Sequence, residues 1–273
     1  MTILVNKKII KAFNFSGGES QISIAGMPID DRVEVCAFLN TADEIMRLLL
    51  TVDAIRRINP AAKIDLHIPY FPYARQDRVC NVGEAMSVEV MAQLINNLSC
   101  ESVTIEDPHS SVTADLIKNV RVLAQADILS RSPIILSLLK EKNFILLAPD
   151  KGAALKTEAI AAALNSQNIP VKALFATKVR DVTNGKITET LIPDGIEGKN
   201  ILVPDDICDG GSTFIELAKK LKAAGANDLY LYVTHGIFSR GLGPLREGFT
   251  HVFCRNCFIN NENPNFLTIL EDI

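Results

Sequence analysis

Short runs of consecutive apolar residues alternate along the chain with longer stretches in which apolar positions recur every three or four residues. The runs have strand length and the longer stretches have the helical period. In the first half, residues 33–39 (VEVCAFL), 63–71 (KIDLHIPYF) and 102–107 (SVTIED) read as strands, and helices are predicted over 41–58, 84–98 and near 111–119. In the helix at 41–58, Ile45, Leu48, Leu49 and Val52 share one face, Thr41 and Glu44 form a capping box, and Asn59-Pro60 ends it. The second half repeats the logic. Strands are predicted at 143–150, 171–179, 200–206, 228–236 and 251–257, and helices at 133–141, 152–165 and 212–224. Continuous apolar strands alternating with helices imply an α/β fold of mostly parallel sheets covered on both faces. Functional residues are then expected in loops at the carboxyl ends of strands. The least periodic stretch is 120–132. The predicted domains are 1–129 and 130–273, with the C-terminal tail free to pack back on the first.

Composition narrows this picture. A chain of 273 residues suits two domains of roughly 150 residues each. Apolar residues at 48% and charged residues at 22% are ordinary globular usage and argue against disorder or a fibrous fold. Lys plus Arg total 28 against 32 Asp plus Glu, a net charge of −4. That balance supplies no bulk attraction to nucleic acid or anionic membrane, and neither partner is expected. No apolar stretch reaches the roughly 18 residues of a transmembrane helix. The opening MTILVNKKIIKAF carries lysines inside its apolar stretch and does not read as a signal peptide, so a cytoplasmic location is expected. The six cysteines are scattered and read as thiols. Cys254 and Cys257 form the one CxxC pair. With no second pair, and inside the apolar run FCRNCFI, they read as buried strand residues rather than a zinc or redox site.

Chemistry concentrates in ILVPDDICDGGSTFIELAKKL (201–221), where an apolar strand ends in Asp205-Asp206 and a helix begins just after Asp209, Gly210, Gly211, Ser212 and Thr213. Glycines let the backbone turn tightly and approach a ligand. A helix N-terminus offers free N–H groups and a positive dipole end, which favours phosphate. Ser212 and Thr213 add hydroxyls that donate to a ligand or cap the helix. Two adjacent carboxylates suit ribose hydroxyls or a metal-bound phosphate.

This segment resembles the phosphoribosyl-pyrophosphate (PRPP) loop of type I phosphoribosyltransferase-fold proteins. The rest of the chain is similar to the ribose-phosphate diphosphokinase, or PRPP synthetase, family. IPYFPYARQDR (68–78) resembles that family's PYFxYARQDR motif, EDPHSS (106–111) its DLHxS motif, and APDKG (148–152) its PDxG motif. THGIFS (234–239) is nearly identical to the family's second-domain strand end, and FSGGES (15–20) resembles its FSNQET nucleotide loop. The motifs occur in family order over residues 15–239. The resemblance implies two tandem phosphoribosyltransferase-like domains, the first on the ATP side and the second carrying the sugar-phosphate loop. It also implies an enzyme that moves the β,γ-diphosphate of ATP to the anomeric hydroxyl of a ribose 5-phosphate-type acceptor, giving PRPP and AMP.

Carried over residue by residue, the resemblance implies ATP contacts at Phe15, Glu19, Arg75, Gln76 and His109, and a Mg²⁺ held by His109 and Asp150. Lys178 and Arg180, in ATKVRDVTNGK, match the start of the family's mobile catalytic loop. Asp205, Asp206, Asp209, Gly210, Gly211, Ser212 and Thr213 match the sugar-phosphate site. Phosphoryl transfer needs positioning and positive charge more than covalent help, which suits the two cations. His235 reads as structural or as a support behind the residues that touch the ligand. A homodimer or higher homo-oligomer is expected, because family sites lie near subunit boundaries.

The chain departs from the family in places. The region ahead of the nucleotide loop is short, Gly17 stands where the family has asparagine, and Cys80 stands where it has an acidic residue. The family's DTxGT loop reads Asp209-Gly210-Gly211-Ser212-Thr213 here. Loss of the threonine side chain at 210 opens space around the 5-phosphate. An alternative acceptor is therefore ADP-ribose, giving ADP-ribose pyrophosphate as a precursor for rebuilding NAD. A non-catalytic regulator resembling the synthetase is a further reading, opposed by retention of Arg75, His109, Asp150, Lys178, Arg180 and the 205–213 loop. A PRPP-consuming phosphoribosyltransferase is another, opposed by the ATP-side motifs.

Overall fold

The computed structural model describes residues 3–141, 143–180, 187–260 and 263–270, with only the backbone of 141, 178–180 and 187–189. The chain divides into two compact units, Met1–Leu123 and Ala124–Ile273.

The first unit runs β1 (Ile3–Val5), β2 (Lys8–Ile9), β3 (Lys11–Asn14), β4 (Ser20–Ser23), β5 (Arg32–Ala37), α1 (Ala42–Ile58), β6 (Lys63–Ile68), α2 (Ser87–Asn97), β7 (Ser102–Glu106), α3 (Ser111–Leu116) and β8 (Val120–Leu123). Its sheet has the order β2-β1-β5-β6-β7-β8, parallel from β5 to β8, with β1 antiparallel to both its neighbours. β3 and β4 form a separate antiparallel hairpin. Helix α1 is capped as its sequence predicts: Thr41 accepts from the Glu44 N–H while the Glu44 carboxylate reaches back. It buries Ile45, Leu48, Val52 and Ile55, one apolar stripe at helical spacing. β5 and β6 alternate buried with exposed or half-buried positions, so these strands turn their apolar residues to one face, whereas β7 is buried at four of its five positions. The sheet's other face holds a polar ladder. Arg32 Nε lies 2.5 Å from Asp65 Oδ2, and His67 Nε2 lies 3.1 Å from Glu106 Oε1.

The second unit runs α4 (Gln125–Arg131), α5 (Pro133–Glu141), β9 (Phe144–Ala148), α6 (Ala154–Ser166), β10 (Lys172–Phe175), β11 (Thr177–Arg180), β12 (Ile187–Leu191), β13 (Asn200–Cys208), α7 (Ser212–Ala223), β14 (Leu229–Gly236), α8 (Gly243–Arg246), β15 (His251–Cys257) and β16 (Leu267–Ile269). Its sheet, β10-β9-β13-β14-β15-β16, is parallel throughout. Every residue of β9 and β14 is buried, as strands covered on both faces must be. Cys254 and Cys257 are buried thiols in β15.

Three predicted elements change. The strand expected at 171–179 breaks at Ala176, whose N–H donates to Ala148 O at 3.0 Å. β9 ends there, so the chain has no ladder left to join. It continues as β11, antiparallel to β12. The strand expected at 63–71 stops at Ile68, because Pro69 has no N–H for the ladder. The aperiodic stretch 120–132 contains β8 and α4. β8 is an edge strand with no buried position, so it lacks the continuous apolar run that marks a central strand.

Candidate functional site

In the second unit, β9, β13 and β14 lie side by side in parallel and end at one edge of the sheet. That edge collects Asp150, the run from Asp205 to Thr213, and the turn after Gly236. β13 continues two residues beyond its expected end, so Asp205 and Asp206 sit on the strand and the turn begins at Asp209. Asp206 is buried. Its Oδ1 accepts from the Ile207 N–H at 2.9 Å, and its Oδ2 lies 4.0 Å from Lys156 Nζ. Asp205 Oδ1 accepts from the Asp206 N–H at 2.9 Å. Burial pushes the Asp205 carboxyl well above the ordinary carboxylate range, and the charges of Asp206 and then Asp150 push the same way. Asp150 itself is fixed by the start of α6, its Oδ1 accepting from the Gly152 and Ala153 N–H groups at 2.9 and 3.3 Å.

The turn delivers the chain into α7 through Gly211, which adopts a left-handed φ of 75° and serves as N-cap. Glycine is the residue for that conformation, and it leaves the helix start without a side-chain cap. The first N–H groups of α7 therefore face outward, beside the exposed Ser212 and Thr213. Leu245 of α8 packs under the turn, 3.2 Å from where a Gly211 Cβ would stand. A Cβ on Gly210 would lie 3.4 Å from Arg240 Nε. Sequence reasoning did not select Arg240 or Lys156. Arg240 directly follows the THGIFS motif, and its signal was a cation in the turn just after a matching strand end. Beyond Arg240 opens a cavity of about 630 Å³ lined by Gly241, Gly243, Arg246, Phe258 and Asn260 among others. His235 is buried in β14, with Nδ1 3.3 Å from Asn256 Nδ2, in keeping with the structural role read from its position.

In the first unit, Phe15 and Glu19 occupy the tip of the β3–β4 hairpin, where the Phe15 N–H donates to Glu19 O at 2.8 Å. Both side chains are exposed, and the Phe15 ring meets Phe13 edge-on at 5.2 Å. Gly17 lets the Glu19 carboxylate fold over the turn, since a Cβ there would lie 2.6 Å from Glu19 Oε2. The hairpin is tied to α1. Arg47 donates to Asn14 Oδ1 at 2.6 Å and pairs with Asp43 at 2.6 Å, and Ser20 donates to Asp43. Those bonds, the one from Ser20 foremost, hold the Asp43 carboxyl below its usual range. Arg75 and Gln76 follow β6 in a turn built on Tyr73 at φ 63°, and with Tyr70 and Tyr73 they line a cavity of about 390 Å³. His109 is exposed after β7, where the chain turns at Asp107 with φ 37°.

The structure thus gathers Asp150 with Asp205 and Asp206, and these with the 209–213 turn, within one unit. Phe15 and Glu19 share a hairpin tip, Arg75 and Gln76 share a turn, and His109 stands on the loop after the neighbouring strand. Lys178 and Arg180 lie on β11, and their side chains fall outside the described residues. Among the described residues no three His, Cys, Asp or Glu side chains converge as a metal cluster, and no helix is long and apolar enough to cross a membrane.

Comparison with known proteins gives concordant matches. Residues 3–98 match the model of the N-terminal domain of ribose phosphate pyrophosphokinase, and residues 121–268 match the phosphoribosyl transferase domain. A ribose-phosphate pyrophosphokinase of Thermococcus kodakarensis is 30% identical, over 83% of this chain and 77% of that one. One from Ralstonia nicotianae is 33% identical, over 83% of this chain and 70% of that one. The crystal structure of phosphoribosylpyrophosphate synthetase from Mycobacterium smegmatis superposes with a TM-score of 0.79 at 22% identity, over 96% of this chain and 85% of that one, a likeness of fold.

Proposed function

Because the chain belongs to the ribose-phosphate pyrophosphokinase family and is an enzyme of that type, we propose that it transfers the β,γ-diphosphate of ATP to the 1-hydroxyl of ribose 5-phosphate. The hydroxyl oxygen forms a bond to the β-phosphorus, the bond from that phosphorus to the α,β-bridging oxygen breaks, and AMP leaves as the hydroxyl proton is lost. The products are PRPP and AMP. The observation that carries this reading is the strand–turn–helix at Asp205–Thr213. It sets two carboxylates at a strand end before a helix start with no side-chain cap. Asp205 and Asp206 orient the sugar hydroxyls, and residues 209–213 hold the 5-phosphate through backbone N–H groups and hydroxyls. Arg75 and Gln76 hold ATP at their turn, with His109 on its phosphates. Phe15 and Glu19 offer a ring face and a carboxylate to the adenine. Lys178 and Arg180 supply positive charge to the transferring group.

Mg²⁺ fits the acidic edge of the second unit, where Asp205 carries a raised pKa from burial and from Asp206. A divalent cation offsets that crowded negative charge. Mg²⁺ takes few protein ligands and keeps waters or substrate phosphates for the rest, which suits a site without a converging cluster. Asp150, Asp205 and Asp206 would hold it there. When bound it neutralises phosphate charge during transfer.

A second acceptor, ADP-ribose, is favoured by the missing side chain at Gly210 and by the cavity beyond Arg240, which give room for a substituent on the 5-phosphate. The test is AMP release from ATP and Mg²⁺, run in parallel with ribose 5-phosphate and ADP-ribose, with mass analysis of the products. AMP and PRPP with ribose 5-phosphate support the first reading, and AMP with ADP-ribose alone supports the second. AMP with neither, from folded protein, defeats both.

A further inference from the structure

We propose that Arg240 is a specificity-determining residue that binds the phosphate end of the acceptor, and that Gly210 is what admits it to the site. This rests on the diphosphate-transfer reading and adds a residue that no motif assigns. Three observations carry it. The Arg240 side chain lies along Gly210, with Nε, Cδ and Cγ at 3.4, 3.5 and 3.8 Å from the position of a Gly210 Cβ. A Cβ at 210 would already touch the Arg240 stem in van der Waals contact, so the further atoms of a branched side chain would compete with it for space. The residue is exposed, and among the described residues it has no ion pair or hydrogen bond, so its charge is uncommitted. Its neighbours are the Gly210–Gly211 turn that opens α7 and the cavity lined by Gly241, Gly243 and Arg246. An unpaired guanidinium beside a phosphate-type turn has five N–H donors in a planar fork and suits a phosphate oxygen pair. Replacing a side chain on the turn by a cation from the loop after β14 exchanges a neutral contact for a charged one. The site then reads the charge and shape of the group at the 5-position.

The experiment measures KM for ribose 5-phosphate, ADP-ribose and ATP in the wild type, Arg240→Ala, Arg240→Lys and Gly210→Thr. Calorimetric binding of each acceptor without ATP runs alongside. Arg240→Ala is expected to raise the acceptor KM by roughly 10- to 100-fold, the worth of a charged hydrogen bond, with the KM for ATP unchanged. Arg240→Lys recovers part of the loss, because it keeps the charge without the fork. Gly210→Thr displaces the guanidinium, so adding Arg240→Ala to it causes little further loss. A larger loss on one acceptor than on the other supports the proposal, and an equal loss on both overturns the specificity role. Unchanged acceptor KM and affinity in folded Arg240→Ala overturn it while wild-type AMP release leaves the diphosphate-transfer reading standing. A wild type that releases no AMP and binds neither acceptor overturns both.

Discussion

Asp205 holds a carboxyl group where its charge is unfavourable, buried and beside Asp206. A carboxyl whose pKa is raised on folding subtracts stability above that pKa, so the wild type is expected to lose stability as pH rises through it. Asp205→Asn removes the repulsion. It should raise the thermal midpoint at neutral pH and flatten its pH dependence, while the acceptor KM rises by roughly tenfold or more through the lost charged hydrogen bond. A melt and a KM on one preparation check both halves, and a variant that loses stability as well as affinity would contradict the account. His67 behaves in the opposite sense. Burial pulls its imidazole down, but contacts with Cys36 and Glu106 outweigh that and bring the pKa to about 9. Its contribution is full below the ordinary value of 6.5 and fades as pH climbs through about 9. Denaturant midpoints of wild type and His67→Gln should differ most near pH 6 and converge by pH 10. The Asp-Asp and Gly-Gly residues were legible in sequence because their chemistry is local. Arg240, 30 residues from Gly210, and the His67–Glu106 pair depend on which strands become neighbours, and no local pattern encodes that.

Elements obey the same division. Helix α1 was readable to its cap, since a Thr–Glu box and an apolar stripe are both short-range signals. Thr41→Ala should lower stability by about 1 kcal/mol in equilibrium unfolding, the usual loss for an N-cap. The break at Ala176 was not readable, because it is set by where β9 runs out rather than by anything in VKALFATKV. That break sends Lys178 and Arg180 onto an antiparallel pair outside the main sheet. If β11 presents these cations to the transferring group, Lys178→Ala and Arg180→Ala should each lower kcat by roughly 10²–10³-fold, with substrate KM values changed far less. Equal losses in kcat and in ATP affinity would instead mark them as binding groups. Gly236, in the THGIFS motif, is fixed by packing: a Cβ there would strike the Phe238 ring and lie 2.7 Å from Cys254 Sγ.

For the whole molecule, strand–helix alternation predicted the α/β class and two halves, and the fold bears both out. The antiparallel β1–β2 edge was not read, because strands of three and two residues carry too little pattern. On the first unit an apolar strip between α1 and α2 leaves Met46, Val90 and Leu94 at 48, 54 and 37% exposure around a cavity of about 440 Å³. Exposed apolar surface of this kind is the contact to test for the expected homo-oligomer. Light scattering should return at least twice the monomer mass, and Val90→Lys with Leu94→Lys should lower it if this strip is the contact. The β1–β2 edge has a consequence of its own. It turns antiparallel, lasts only a few residues, and carries Lys7 and Lys8 at its rim. A sheet edge ending this way is a poor template for a foreign strand. Trimming residues 1–10 would bare the flank of β5, and the shortened protein should aggregate faster than the full chain in a turbidity or thioflavin assay.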